Sequence, residues 1–401
     1  MFKDRVLSGM RPTGYMHLGH YHGALKNWIA LQSQMECFYF VADWHALTTN
    51  YEDPRVVAKS TFEMVADWLG AGLDPNQCTI FLQSQVPQHA ELSLLLGMIT
   101  PLGWLERVPT YKEQQENLSE KDLTTYGFLG YPLMQTADII VYRANKVPVG
   151  EDQVSHLEIS REIARRFNHI YGREAGFEDK ALAAIKKLSG KLGKEYESAK
   201  LAWNQNGDAA QLERGKQIVA EAGSLSAIDK ETLFGFLTGA RKTILPEPQA
   251  LLTPTSKLIG LDGRKMSKSY GNGIDLREPP ASVEKKIRAM KTDPKRARRT
   301  DPGNPDDCPV WTLHQVYSDD ARKLWVREGC TTAGIGCLEC KQPVIDAVKA
   351  ELEPMQARIA EIEAKPGYVK DVLRAGCARA REVTEATMRD VRDAMGLAKL
   401  D

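Results

Sequence analysis

The sequence predicts an α/β fold, in which a parallel sheet with helices on both faces precedes a wholly helical C-terminal part. Short apolar runs typical of buried strands alternate with helical segments up to about residue 167, which is the pattern of a parallel sheet. Residues 172–239 are polar and rich in Lys, Glu and Ala, which predicts a helical insertion. From residue 279 onward strand-like runs disappear, so only helices are expected there.

The sheet is predicted to begin with a short buried strand at residues 6–10, before a turn at Arg11-Pro12-Thr13-Gly14. Further strands are predicted at residues 37–43 and 79–82, and the intervening helices at residues 17–32 and 56–69. Ligands of such sheets bind at the carboxyl ends of the strands. The turn after residue 10 and the segment with His45 are therefore expected to line a site.

Composition is that of an ordinary globular protein, with 401 residues, 42% hydrophobic and 26% charged. The sequence has neither the apolar core of a signal peptide nor a run of about 18 apolar residues, so we expect a cytoplasmic protein without membrane contact. Net charge is zero, from 53 basic and 53 acidic residues. Residues 285–299 nevertheless carry eight basic side chains, which suit either phosphate contacts or a solvated helix face.

Two histidines, His17 and His20, are spaced to face one side of a helix start. Free backbone N–H groups and the positive end of the dipole make such a start suited to phosphate. Gly19 would allow a nucleotide to approach closely, and Gly9 and Thr13 would complete the loop. The alternatives are two incidental surface histidines or another kind of nucleotidyltransferase.

A second candidate site is the loop Lys265-Met266-Ser267-Lys268-Ser269, which has glycines on both sides. Two lysines that close over phosphates would stabilise a departing pyrophosphate, and the glycines would allow the closure. The alternative is an ordinary charged loop.

Asp138 lies in the apolar segment Tyr131-Pro132-Leu133-Met134-Gln135-Thr136-Ala137-Asp138, where a carboxylate needs a polar partner. It could accept a hydrogen bond from an indole N–H or a phenol O–H, and Gln135 would face the same pocket. The alternative is an ion-paired or capping Asp beside a packed Gln. This pattern does not distinguish tryptophan from tyrosine.

Four of the seven cysteines, Cys308, Cys330, Cys337 and Cys340, cluster within 33 residues. Four thiolates can hold tetrahedral zinc or an iron–sulfur cluster, and the spacing does not choose between them. The alternative is a set of buried free thiols.

Together, the His17–His20 and Lys265–Ser269 motifs resemble the two signatures of class I aminoacyl-tRNA synthetases. Residues 11–23, 41–48 and 147–158 extend the resemblance to the bacterial tryptophanyl-tRNA synthetases, over most of the chain outside the insertion. The resemblance implies a tryptophan–tRNA ligase that uses ATP with Mg²⁺ to form tryptophanyl-adenylate and then loads tRNA(Trp), without a covalent enzyme intermediate. It also implies a homodimer.

The resemblance further assigns parts and residues. Residues 1–171 and 240–278 would form a Rossmann-type catalytic domain, 172–239 a helical insertion, and 279–401 a helical domain that binds the tRNA anticodon. The implied catalytic residues are His17, His20, Lys265 and Lys268. The implied ATP-binding residues are Gly9, Met10, Arg11, Thr13, Gly19, Gly150, Asp152, Gln153, Met266, Ser267 and Ser269. The implied tryptophan-binding residues are Tyr131, Gln135, Asp138 and His45.

A subset of this family carries a [4Fe-4S] cluster on a similar cysteine pattern, which implies such a cluster at Cys308, Cys330, Cys337 and Cys340, with Zn²⁺ as the alternative. Besides the nucleotidyltransferase named above, two rival functions remain open at this point. One is a tyrosyl-tRNA synthetase, because the Asp138 segment is common to both amino acids. The other is a non-catalytic, RNA-binding paralogue, against which the intact histidine and lysine motifs argue.

Overall fold

The computed structural model describes residues 4–108, 125–149, 154–172, 176–239, 243–252, 258–267 and 270–398, with the backbone alone for 154–156. Within these residues one sheet has the strands β1 (Arg5–Met10), β2 (Glu36–Val41), β3 (Cys78–Leu82), β4 (Lys146–Val149) and β5 (Gln249–Leu252). Their order is β3-β2-β1-β4-β5, and the pairs β1–β4 and β2–β3 are parallel. The predicted parallel sheet is confirmed, as are the three strands placed from the sequence.

Helices make up most of the rest of the described chain. Those up to residue 141 are α1 (Leu18–His20), α2 (Lys26–Leu31), α3 (Asp43–Asn50), α4 (Arg55–Ala71), α5 (Gln88–Gly97), α6 (Leu102–Glu106), α7 (Tyr126–Leu129) and α8 (Tyr131–Val141). They are followed by α9 (Val154–Tyr171), α10 (Phe177–Lys187), α11 (Gly190–Asn206), α12 (Ala209–Glu221) and α13 (Ala227–Leu237). The C-terminal helices are α14 (Pro280–Ala289), α15 (Pro309–Tyr317), α16 (Asp320–Thr331), α17 (Cys337–Glu363) and α18 (Tyr368–Ala394).

The helix predicted at residues 17–32 has an internal change of pitch. A π-helical turn, Tyr21–Leu25, connects α1 to α2 and begins directly after His20. Such wider turns are rare and occur frequently at functional sites. The hydrophobic periodicity of the sequence predicted a helix here but carried no signal for the π turn.

The described residues divide into two compact units. The first comprises residues 1–8, 85–251 and 378–401, and the second comprises residues 9–84 and 252–377. The three-part division made from the sequence stays a prediction. No helix within the described ranges is long and apolar enough to span a membrane.

The segment predicted to be an insertion has a small hydrophobic core within the first unit. Helices α10 to α13 bury Tyr196, Ile218, Val219, Leu233 and Leu237 against one another. The Tyr196 hydroxyl donates a hydrogen bond of 2.5 Å to the Leu233 carbonyl oxygen, so the buried phenol is satisfied. The helical character predicted for this segment is confirmed.

In the second unit, aromatic packing fixes α2 against the sheet. The rings of Trp28 on α2 and Tyr39 on β2 stack with their centroids 4.5 Å apart, and Trp68 from α4 meets Trp28 edge-on. The Tyr39 hydroxyl also donates to the Trp28 carbonyl oxygen at 3.0 Å. Because α1 and the π turn lead into α2, this packing sets the position of the histidine motif.

Candidate active site

The histidine motif and the lysine loop, about 250 residues apart in sequence, are joined by backbone hydrogen bonds. The Leu18 N–H donates to the Ile274 carbonyl at 2.9 Å, and the Leu276 N–H donates to the Met16 carbonyl at 2.8 Å. Between them, His17 and Asp275 form an antiparallel bridge. The segment that leaves the lysine loop therefore pairs directly with the residues that enter α1.

The two motif histidines lie face to face. Their rings are stacked with centroids 3.7 Å apart, and the His17 backbone N–H donates to His20 Nδ1 at 3.3 Å. His17 precedes the first residue of α1 and is buried, whereas His20 is half-buried. The structure thus brings both imidazoles to one side of a helix start, as their spacing predicted.

Met266 connects the lysine loop to the same helix start. The Gly19 N–H donates to Met266 Sδ at 3.2 Å, and the Met266 side chain is buried. Met266 thus lies where ATP binding was predicted, and in this structure it contacts the protein backbone. Lys265, its neighbour, is exposed.

Asn272 organises the lysine loop, and its role was missed from the sequence. Its buried side chain accepts a hydrogen bond from the Ser267 N–H at 2.8 Å. Its amide nitrogen donates to Asp262 Oδ1 at 2.7 Å and to the Lys265 carbonyl at 3.1 Å. The bond from Asn272, followed by the contacts with Arg264, lowers the pKa of Asp262 to about 2, so this carboxylate is ionised at neutral pH.

The predicted phosphate loop lies at the carboxyl end of β1. Gly9, Arg11 and Thr13 are exposed and Met10 is half-buried, so the loop is accessible. A side chain at Gly9 would place its Cβ 2.5 Å from the Phe40 ring, so packing between β1 and β2 also requires glycine here. Of the other predicted residues, Gly150, Asp152, Gln153, Lys268 and Ser269 lie outside the described residues.

The predicted tryptophan-binding side chains of α8 lie in the first unit. Asp138 is 1% exposed, and its Oδ1 lies 2.6 Å from His89 Nδ1 on α5. His89 Nε2 lies 2.8 Å from the hydroxyl oxygen of Tyr142. Neither His89 nor Tyr142 was identified from the sequence, because neither belongs to a recognisable motif.

Two more residues of the predicted pocket lie on α8, and one lies elsewhere. Tyr131 and Gln135 are half-buried, and the Gln135 Oε1 atom is buried without a hydrogen-bond partner among the described residues. A buried carbonyl oxygen of this kind is costly unless a ligand or water donates to it. His45 is buried on α3, in the second unit.

The four clustered cysteines lie at the ends of three helices, with Cys330 in the last turn of α16. Cys308 precedes α15, and Cys337 and Cys340 lie in the first turn of α17. Burial, and then the proximity of the other three thiols, raises the pKa of Cys340 to about 12. Throughout the described ranges, no three side chains of His, Cys, Asp or Glu are already arranged as metal ligands.

Arg296, Gly303 and His314 lie next to these thiols. A guanidinium nitrogen of Arg296 lies 3.9 Å from Cys330 Sγ, and a Cβ at Gly303 would lie 2.7 Å from the same sulfur. His314 Nε2 lies 3.4 Å from Cys340 Sγ, and burial lowers the pKa of His314 to about 4, so its imidazole is neutral. Burial raises the pKa of the Cys330 thiol, and the nearby Arg296 opposes this rise. Four cysteine sulfurs are the donor set that binds zinc or an iron–sulfur cluster.

Comparisons with known proteins agree with this arrangement. The chain matches the model of the class I tRNA synthetases for tryptophan and tyrosine over residues 3–200 and 223–353. It is 62% identical over 397 residues to the tryptophan–tRNA ligase of Ralstonia nicotianae, covering 99% of each chain. It is 44% identical over 395 residues to that of Thermotoga maritima, covering 98% of this chain and 99% of the relative.

Among solved structures, the chain resembles the tryptophanyl-tRNA synthetase of Campylobacter jejuni complexed with ADP and tryptophan. The TM-score is 0.71 at 25% identity, and the match covers 98% of this chain and 100% of the other. The resemblance therefore covers the fold and nearly the whole length of the chain. The chain belongs to the class I tRNA synthetases for tryptophan and tyrosine, and within them to the tryptophan–tRNA ligases.

Proposed function

We propose that this protein activates L-tryptophan with ATP and Mg²⁺ to tryptophanyl-adenylate and pyrophosphate, and then transfers tryptophan to tRNA(Trp). The observation that carries the proposal is the backbone pairing of residues 16–18 with residues 274–276, which holds the histidine motif beside the lysine loop. We propose tryptophan rather than tyrosine as the amino acid substrate, because the relatives with 62% and 44% identity are tryptophan–tRNA ligases.

In this reaction the tryptophan carboxylate attacks the α-phosphorus of ATP, and pyrophosphate departs. Stacked imidazoles of His17 and His20 at a helix start would donate hydrogen bonds to phosphate oxygens, where negative charge develops. Lys265 and Lys268 would neutralise the departing pyrophosphate. Gly9, Met10, Arg11, Thr13, Gly19, Gly150, Asp152, Gln153, Met266, Ser267 and Ser269 would surround ATP. No protein nucleophile is needed, so no covalent enzyme intermediate forms.

For the amino acid, the buried Asp138 carboxylate is the proposed acceptor for the indole N–H, with Tyr131, Gln135 and His45 as further pocket residues. The unsatisfied Gln135 oxygen supports a ligand at this face of α8. Residues 279–401 are proposed to contact the anticodon, and their basic segment 285–299 to contact tRNA phosphates. The working enzyme is proposed to be a cytoplasmic homodimer.

The test is ATP–pyrophosphate exchange with tryptophan and tyrosine in parallel. We expect exchange with tryptophan alone, and exchange driven by tyrosine would overturn the substrate assignment.

Lys265→Ala should lower the exchange rate by about 100-fold, as expected for loss of one preorganised charge contact, while the Kd for tryptophan changes little. Lys59→Ala, an exposed lysine on α4, is the matched control for loss of one positive charge. Equal losses of rate and tryptophan binding would contradict the leaving-group role.

The four clustered cysteines are proposed to hold a [4Fe-4S] cluster as a structural element of the helical C-terminal part. When bound, the cluster would supply cross-links between α15, α16 and α17 rather than reactivity. Anaerobically purified protein should absorb near about 400 nm and contain iron, and Cys337→Ser with Cys340→Ser should lose both. Cys37→Ser, on β2, is the control. Zinc without iron would replace the cluster by a Zn²⁺ site.

A further inference from the structure

The carboxylate proposed to bind the indole stands at one end of a line of three buried polar groups. His89 is 0% exposed and Asp138 1% exposed, so their 2.6 Å contact lies entirely out of water. Tyr142, also 0% exposed, contacts the opposite ring nitrogen of His89 at 2.8 Å. Asp138 and Tyr142 come from α8 and the residue that ends it, whereas His89 comes from α5.

One tautomer of His89 can satisfy both contacts together. Nδ1–H of His89 donates to the Asp138 carboxylate, and Nε2 accepts from the Tyr142 hydroxyl. Tyr142 thereby holds the proton on the nitrogen that faces Asp138. This is the way in which the partner of one ring nitrogen sets the role of the other.

The consequence for Asp138 is orientational. A hydrogen bond of 2.6 Å to one oxygen fixes the rotation of the carboxylate about its Cβ–Cγ bond, and so sets the direction of both oxygens. A site that reads a ring N–H discriminates only if its acceptor is held in the correct direction, because rejection of the wrong side chain relies on a buried group left unpaired.

We propose that His89 is a positioning residue that orients the Asp138 carboxylate for recognition of the indole N–H, and that Tyr142 sets the tautomer of His89. This inference rests on the proposed function, because it takes Asp138 as the indole acceptor. According to this inference, His89 contributes to the selectivity of the pocket for a side chain with a ring N–H. His89 does so through Asp138, without contacting the amino acid itself.

Two substitutions at one position separate the two nitrogens. His89→Asn keeps an N–H donor near the position of Nδ1, and His89→Gln keeps a polar group near the position of Nε2. We expect His89→Gln to raise the KM for tryptophan in pyrophosphate exchange by about tenfold, as for loss of an orienting partner. The KM for ATP should stay within about twofold, and His89→Asn should recover most of the tryptophan affinity.

A second readout is the ratio of kcat/KM for tryptophan to that for 1-methyltryptophan, which lacks the ring N–H. The ratio should fall in His89→Gln and be largely retained in His89→Asn, a split that a merely structural role of His89 would not produce. Equal KM values and equal ratios in the two variants would overturn the inference. Thermal melts confirm that each variant is folded.

Tyr142→Phe decides the matter if neither His89 variant folds, because it preserves the shape of the ring. We expect it to raise the KM for tryptophan by about threefold, and an unchanged KM and ratio would overturn the inference.

Asp138→Asn distinguishes this failure from failure of the proposed pocket. If Asp138→Asn leaves the KM for tryptophan unchanged, Asp138 is not the indole acceptor and the inference falls with it. If Asp138→Asn raises the KM but the other variants do not, only the positioning role fails.

Discussion

Each unit of the protein buries one histidine against a carboxylate and a tyrosine hydroxyl, but the two clusters are built differently. In the first unit, His89 uses both ring nitrogens in a line, one for Asp138 and one for Tyr142. In the second unit, His22 Nε2 lies 2.9 Å from both Glu351 Oε2 and the Tyr317 hydroxyl, and Tyr317 also donates to Glu351 at 2.7 Å.

The difference teaches what each cluster can do. The triangle around His22 gives its carboxylate two donors, and the Glu351 side chain is 19% exposed, so water can replace a lost partner. The line through His89 is fully buried, so loss of one member changes the geometry of the next. The triangle is therefore suited to holding α15 and α17 to the π turn, and the line to controlling the direction of one carboxylate.

The largest difference is expected when the carboxylates are removed. Asp138→Ala should lower the free energy of unfolding by about 3 kcal/mol, because it removes the carboxylate from a fully buried contact with His89. Glu351→Ala should cost about 1.5 kcal/mol, since His22 and Tyr317 remain in contact with each other. Urea denaturation of both variants measures the two values. A larger loss for Glu351→Ala would reverse the proposed distinction between line and triangle.

A smaller effect is expected on catalysis from the triangle. His22 lies on the π turn, two residues after His20, so His22→Ala should displace the motif and lower kcat of pyrophosphate exchange by up to about tenfold. The KM for tryptophan should change little, in contrast with His89→Gln. Steady-state kinetics with varied tryptophan test this. A raised KM for tryptophan with unchanged kcat would contradict this prediction, because it would mean that His22 affects tryptophan binding and not the histidine motif.

The tyrosine hydroxyls should differ by less. Tyr142→Phe removes the hydroxyl that contacts a fully buried ring nitrogen of His89 and should cost about 1 kcal/mol of unfolding free energy. Tyr317→Phe should cost about 0.5 kcal/mol, because Glu351 keeps its bond from His22. Parallel denaturation curves compare the two variants. Equal losses of unfolding free energy would mean that the bond from His22 to Glu351 does not compensate for the lost Tyr317 hydroxyl.

The smallest effect is the dependence of the triangle on pH. Burial pushes the pKa of Glu351 upward, but the bonds and charge of His22, with Tyr317, overcome it and leave the pKa below its ordinary value of 4.5. A carboxylate with a lowered folded pKa stabilises the protein above its unfolded pKa, and this stabilisation is lost as pH falls through the folded pKa. The stability difference between wild type and Glu351→Gln should therefore shrink below pH 4.5. A constant difference from pH 6 to pH 3 would contradict it.

The sequence predicted the fold well where the signal was local. Apolar runs located β1, β2 and β3, and helical spacing placed His17 and His20 on one side of a helix start. The π turn was not predictable, because it depends on packing and on the contacts of His22 with residues more than 290 positions away. His89 was missed for the same reason, since its partner Asp138 is 49 positions distant and no motif connects them. Asn272 was missed, although its side chain makes two hydrogen bonds within the lysine loop and a third to Asp262.

The backbone pairing of residues 16–18 with residues 274–276 has a mechanical consequence. The lysine loop is tied at its outgoing end to the residues that enter α1, and Met266 meets Gly19 nearer its other end. Displacement of the loop must either break these bonds or pull on the backbone of His17. A loop held in this way rotates about its attachment rather than shifting as a whole. Closure of the loop over a leaving group would therefore also move the histidine motif.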